Sequence, residues 1–209
     1  MQLCYCPNSV QIYDYYDTKD EFVIIMELCD ETLLNVLANT VNGFSVVKIK
    51  EILLQLNNAF KIMNKNKISH RDIKLNNILV KYLNNEHTEF KVLLSDYGIS
   101  NQLNELITSF KTHIGTRIIM APEILKGEKY NDKCDLWSLG VNIYKLKTKD
   151  FPYKGNVDND ILKEIREKGQ TVLNNINDES LRNLLSRLLV ENPQERISWD
   201  EYFEHEFFN

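Results

Sequence analysis

An apolar stripe between residues 45 and 63 limits the fold more than any other feature. Ile49, Ile52, Leu53, Leu56, Phe60 and Met63 recur three and four residues apart. That spacing lines one face of an α-helix, and Ser45 stands where an N-cap belongs. Such a stripe must be buried, so the chain has to build a body around it. At 209 residues and 43% hydrophobic, it has the length and apolar content for one core.

Two strand pairs accompany the stripe. Residues 9–16 (SVQIYDYY) alternate and are rich in aromatic and β-branched side chains, Asp17–Asp20 is a polar turn, and residues 21–26 (EFVIIM) form a second apolar run. Together they predict a hairpin. Residues 31–38 predict a short helix. Segments 78–82 and 90–94 flank a polar tip at Asn84–Asn85 and predict a second hairpin. From residue 121 the pattern is helical, over about 121–126, 133–147, 158–168, 180–190 and 198–204, with Pro152 and Pro193 in the breaks. The fold class is α+β, a small β element followed by a helical bulk.

Thirty acidic residues against 25 Lys and Arg, a net charge of −5, argue against a basic nucleic-acid-binding surface. No apolar run approaches the roughly 18 residues of a membrane span. The start, MQLCYCPNSV, has no secretory pattern. Cys4, Cys6, Cys29 and Cys134 have neither zinc-site nor disulfide-framework spacing. The expectation is an intracellular, cytoplasmic protein with reduced thiols and with no nucleic-acid or membrane partner.

Four blocks carry polar residues where periodicity would not put them. The first, His70-Arg71-Asp72-Ile73-Lys74-Leu75-Asn76-Asn77, is a loop between the long helix and a strand. Asp72, Lys74 and Asn77 bring a base, a cation and a neutral oxygen ligand into one turn. Phosphoryl transfer needs that set. The second, Asp96-Tyr97-Gly98, puts a carboxylate at a strand end before a hinge, which suits a Mg²⁺ ligand. The third runs from Gly115 through Thr116 to Ala121-Pro122-Glu123, with Pro at a helix start. The fourth, Asp135-Leu136-Trp137-Ser138-Leu139-Gly140, buries an Asp in an apolar helix, which is costly unless it is paired.

In this order and with these gaps, the four blocks closely resemble the eukaryotic protein kinase family, Ser/Thr type. The resemblance runs from about residue 6 to the end. It implies a kinase-like fold, with residues 1–28 as a remnant of the small lobe and 29–209 as a mainly helical large lobe. It implies MgATP as cofactor and a protein substrate whose Ser or Thr hydroxyl accepts the γ-phosphate. Asp72 would act on the hydroxyl, Lys74 on the moving phosphate, and Asn77 and Asp96 would hold Mg²⁺. Thr116 would bond to Asp72 and Lys74. At the nucleotide, the resemblance implies Met26 as gatekeeper, Glu27 and Cys29 at the adenine, Leu79 as the pocket floor and Glu31 near the ribose. It further implies a buried Glu123–Arg196 ion pair, an Asp135 that bonds the backbone at His70–Arg71, and a stack of His70 on Tyr97. Thr112 would be a phosphosite for an upstream kinase, read by Arg71, with Thr108 and Ser109 as neighbouring alternatives.

The chain also departs from the family pattern. It shows no Gly-rich loop, no strand lysine of the VAIK type and no paired helix glutamate, so low activity is expected of this chain alone. A hairpin over residues 9–26 without further strands would expose an edge and an apolar face that includes Ile12, Phe22 and Ile24. Tyr97, Asn76 and Ile119 replace a more usual Phe, Glu and Tyr. The alternative function is a pseudokinase-like scaffold that binds protein with little or no catalysis.

Overall fold

The structure is a computed structural model that describes residues 6–18, 21–96 and 117–209. Tyr97, Gly98, Thr108, Ser109, Thr112, Gly115 and Thr116 lie outside the described residues, as does the side chain of Phe22.

The first hairpin forms as the alternation requires. β1 (Ile12–Asp17) and β2 (Phe22–Met26) pair antiparallel, with Ile12 opposite Met26 and Tyr15 opposite Ile24. The strand starts three residues later than the alternation suggests. Residues 8–10 are instead tied to the body: Val10 N–H donates to Leu94 O (2.9 Å), and Leu94 N–H donates to Asn8 O (2.8 Å). Asn8 takes a left-handed φ of 59° and donates from Nδ2 to Val92 O at 2.8 Å. The hairpin itself stays open to solvent: Tyr13, Tyr15, Tyr16, Val23, Ile24, Ile25 and Met26 are all exposed, and Ile12 is half-buried.

Residues 31–38 do not form one helix. Glu31–Thr32 are a short strand, β3, and α1 (Leu33–Ala38) begins after them. Thr32 is extended, and its hydroxyl accepts from the Asn35 N–H. An N-cap residue holds β-region backbone, so Thr32 joins the sheet and starts the helix at once. α2 (Val46–Lys65) follows. The Ser45 hydroxyl caps it by accepting from Lys48 N–H, and the whole stripe from Ile49 to Met63 is buried. β4 (Ile78–Tyr82) and β5 (Phe90–Leu94) complete a three-stranded antiparallel sheet in the order β3-β4-β5.

The helical bulk comprises α3 (Pro122–Leu125), α4 (Lys133–Thr148), α5 (Asp158–Lys168), α6 (Glu179–Leu188) and α7 (Trp199–Phe203). α4 is buried along most of its circumference, from Cys134 through Leu146, as befits the centre of a core. Gly140 lets α6 come close, because a Cβ there would stand 2.9 Å from Leu188 Cβ. Asp178 caps α6, and Ser198 with Glu201 forms a reciprocal capping box on α7. Among the described residues no helix is long and apolar enough to cross a membrane.

Candidate active site

The polar loop 70–77 runs between α2 and β4 and ends in a 3-10 turn at Leu75–Asn77. Helix α4 holds it from below. Asp135 is 1% exposed. Its Oδ2 accepts from His70 N–H and its Oδ1 from Arg71 N–H, both at 2.7 Å. Burial pushes the Asp135 carboxyl up, and the two amides oppose that shift. Two turns along the same helix, Asn142 Nδ2 donates to Ile73 O at 2.9 Å. Sequence reasoning missed Asn142. Its signal is an amide seven residues after Asp135 on the same apolar helix.

The loop also grips the end of β5. His70 Nε2 lies 2.8 Å from Ser95 O, while His70 Nδ1 accepts from Asp72 N–H at 3.3 Å. That pattern assigns the proton to Nε2. Ser95 N–H donates to Asn77 O at 2.8 Å, and Ser95 Oγ lies 3.0 Å from the same oxygen and 3.3 Å from Asp96 Oδ2. Ser95 was not singled out in the sequence, although it immediately precedes Asp96.

Asp72, Lys74 and Asn77 meet directly. Asp72 Oδ2 accepts from Lys74 Nζ at 2.6 Å and from Asn77 Nδ2 at 2.8 Å. Asn77 Nδ2 also reaches Asp72 O at 3.0 Å. Asp72 Oδ1 accepts no hydrogen bond among the described residues. The Asp72 side chain is 28% exposed. Asp96 joins the cluster through Ser95 and takes a left-handed φ of 64°; Arg71 does the same at 67°. Such backbone in a non-glycine residue persists only where its surroundings impose it, and here the hydrogen bonds at Asp135 and Ser95 do so.

The donor set suits a hard divalent cation. Asn77 Nδ2 is spent on Asp72, Asn77 Oδ1 accepts no hydrogen bond among the described residues, and Asp96 adds a carboxylate. Among the described residues no three His, Cys, Asp or Glu side chains gather as a metal group. An amide oxygen and a carboxylate are hard oxygen donors of the kind Mg²⁺ takes.

The nucleotide-side candidates sit on the segment that leaves β2. Met26 closes β2 and is 42% exposed. Glu27 N–H donates to Gln11 O at 2.7 Å. The Lys81 ammonium, 2.8 Å from Glu27 Oε1, holds the Glu27 carboxyl below its usual range. Burial pushes the Cys29 thiol up, so it stays protonated. Leu79 lies half-buried on β4, two residues after Asn77. The Glu31 carboxylate accepts from the Tyr82 hydroxyl.

Further from the loop, Arg196 and Glu123 form a bidentate pair at 2.8 and 2.9 Å, with side chains 0% and 1% exposed. Arg71 Nε and Nη1 are buried and have no hydrogen-bond partner among the described residues, and the guanidinium carbon stands 5.6 Å from the Tyr130 ring centroid.

Comparison with known proteins agrees with this geometry. The protein kinase domain family model matches residues 1–208. The chain is 36% identical over 159 residues to calcium-dependent protein kinase 6 of Plasmodium berghei, covering 76% of the chain and 10% of that protein. It is 34% identical over 204 residues to the serine/threonine-protein kinase Nek1 of Mus musculus, covering 96% of the chain and 16% of that protein. It is 29% identical over 208 residues to the serine/threonine-protein kinase ULK1 of Homo sapiens, covering 97% of the chain and 20% of that protein. The chain thus spans a minor part of the length of these relatives.

Proposed function

The chain belongs to the protein kinase domain family, and from that premise we propose that it transfers the γ-phosphate of MgATP to Ser or Thr hydroxyls of proteins. The observation that carries this reading is the state of Asp72: Lys74 and Asn77 both hold Oδ2, while Oδ1 accepts no hydrogen bond among the described residues. Residues 1–28 then belong to the small lobe and residues 29–209 to the large one.

In this reading Asp72 Oδ1 orients the substrate hydroxyl and accepts its proton as the oxygen attacks. Lys74 supports charge on the phosphoryl oxygens. Asn77 Oδ1 and Asp96 hold the metal. Bound MgATP supplies the transferable phosphoryl group and a divalent charge that offsets the build-up of negative charge on it. Glu27 and Cys29 offer backbone groups to the adenine, with Leu79 beneath the ring and Met26 at its back. Thr116 completes the set from the sequence. The buried Nε and Nη1 of Arg71, without a hydrogen-bond partner among the described residues, support a second part of the reading, that an upstream kinase phosphorylates Thr112 and Arg71 receives the phosphate.

The test is radiolabelled phosphate transfer to a generic Ser/Thr substrate, with Asp72→Asn as the control. Equal incorporation by both proteins refutes the proposal. The exposed apolar side chains of β1 and β2 favour a second reading, a protein-binding scaffold with little catalysis. A MgATP-dependent rise in Tm separates the two, because a working nucleotide site stabilises the fold on binding.

A further inference from the structure

The segment that links β2 to β3 has little secondary structure of its own, yet it is tied down at several points, to Gln11 at Glu27 and otherwise to β4. The register explains how. Glu31 pairs with Val80 and Thr32 with Leu79. Directly opposed residues share a sheet face, as do residues two apart along a strand. Glu31, Val80 and Tyr82 therefore lie on one face of β4, and Leu79 and Lys81 on the other. On the first face the Tyr82 hydroxyl donates to Glu31 Oε1. On the second, Lys81 Nζ reaches Glu27 Oε1 at 2.8 Å. Between them Asp30 N–H donates to Val80 O at 2.9 Å, and Asp30 Oδ2 accepts from Tyr82 N–H at 2.7 Å.

We propose that β4 clasps this segment from both faces, with Lys81 and Tyr82 acting as positioning residues for the nucleotide. The inference rests on the kinase reading for its ligand, and on the hydrogen bonds alone for the clasp. Glu27, Asp30 and Glu31 are the gripped residues. Cys29, between them, keeps its backbone N–H and C=O without partners among the described residues, a donor and an acceptor side by side for the edge of a purine. An unheld linker would have to be ordered when the nucleotide binds, and the clasp removes that entropic cost in advance. Both grips persist at neutral pH. Burial first, and the hydrogen bond to Glu31 second, push the Tyr82 hydroxyl up to about 12, and Lys81 keeps Glu27 ionised.

The same parity gives Glu31 a different role from the one the family resemblance implies. Its carboxylate lies on the sheet face opposite Leu79, the residue expected to floor the adenine pocket, and is engaged by Tyr82. In this proposal Glu31 serves as a clasp residue in place of the sugar contact that the resemblance implies.

The test uses the full chain and the variants Tyr82→Phe, Lys81→Met, Lys81→Arg and Glu31→Gln. Hydrogen exchange of the amides of residues 27–31, measured without nucleotide, is expected to quicken by about tenfold in Tyr82→Phe and Lys81→Met, the scale set by losing one charge-assisted hydrogen bond. With MgATP, KM for ATP is expected to rise about three- to tenfold while kcat and the KM for protein substrate hold, the pattern of lost ground-state positioning. Lys81→Arg should restore both readouts. The ratio of activity with ATP to activity with 2′-deoxyATP should be unchanged in Tyr82→Phe and Glu31→Gln. Unaltered exchange and KM in a wild type that binds MgATP overturn the clasp. A fall in the ATP preference of Glu31→Gln overturns the assignment of Glu31. A wild type that binds no MgATP, with exchange still faster in the variants, overturns the nucleotide role together with the kinase reading and leaves the clasp supported.

Discussion

Asp135 and Asp72 serve the same loop in opposite ways. Asp135 is buried, and each of its oxygens takes a backbone amide at 2.7 Å. Asp72 is partly exposed; two donors crowd one oxygen, and the other accepts no hydrogen bond among the described residues. The first carboxylate is sealed from solvent and fixes the backbone at His70 and Arg71. The second is held in place yet keeps a lone pair free. Each accepts two hydrogen bonds; burial with the donors shared between both oxygens marks the anchor, whereas partial exposure with both donors on one oxygen marks the candidate reagent. Glu123 repeats the anchor pattern, with both oxygens on Arg196.

If the contrast holds, replacing the reagent costs activity and replacing an anchor costs stability. Asp72→Asn should lower kcat by about 10²–10⁴-fold, the usual worth of a positioned base, with Tm unchanged. A parallel fall in Tm would make Asp72 an anchor too. Arg196→Met leaves Glu123 as a buried, unpaired charge, so denaturant unfolding should show a loss of about 3–5 kcal/mol. Asp135→Asn keeps one acceptor and turns an amide donor toward a backbone N–H. It should cost about 1–3 kcal/mol and lower kcat through the displaced loop, and a wild-type kcat at reduced stability would uncouple the anchor from the reagent. Ser198→Ala, remote from the loop, should cost about 1 kcal/mol with no change in activity.

The smallest effect is one of pH. The amide and hydroxyl of Ser198 hold the Glu201 carboxyl below its ordinary value of 4.5. A lowered folded-state pKa means that the capping box contributes fully above that value and loses its contribution as pH falls through the folded pKa. Acid titration of unfolding should show this loss in the wild type and a weaker one in Ser198→Ala.

Most of the fold was legible because its elements are periodic. The stripe from Ile49 to Met63, the two hairpins and the later helices emerge from spacing alone. The Glu31–Thr32 strand was not legible, because two residues have no period; the partner strand and the cap at Thr32 decide their state. The early start assigned to β1 failed for a related reason. The alternation at residues 9–11 is real, but hydrogen bonds to β5 claim that stretch. At the site, Asp72, Lys74 and Asn77 stand close in sequence and meet in space. Ser95, Asn142, Lys81 and Tyr82 act through tertiary contacts 18 or more residues away, and no local pattern marks such partners.

The β1–β2 hairpin stands on two feet. One is the pairing of residues 8 and 10 with Leu94 on β5, and the other is the bond from Asp30 to Val80 on β4. β4 and β5 are adjacent strands of one sheet, so the footings form a short baseline. Sliding or rotation in the sheet plane would break both footings at once. Two neighbouring strands of one sheet thus hold the hairpin against displacement in the plane of that sheet.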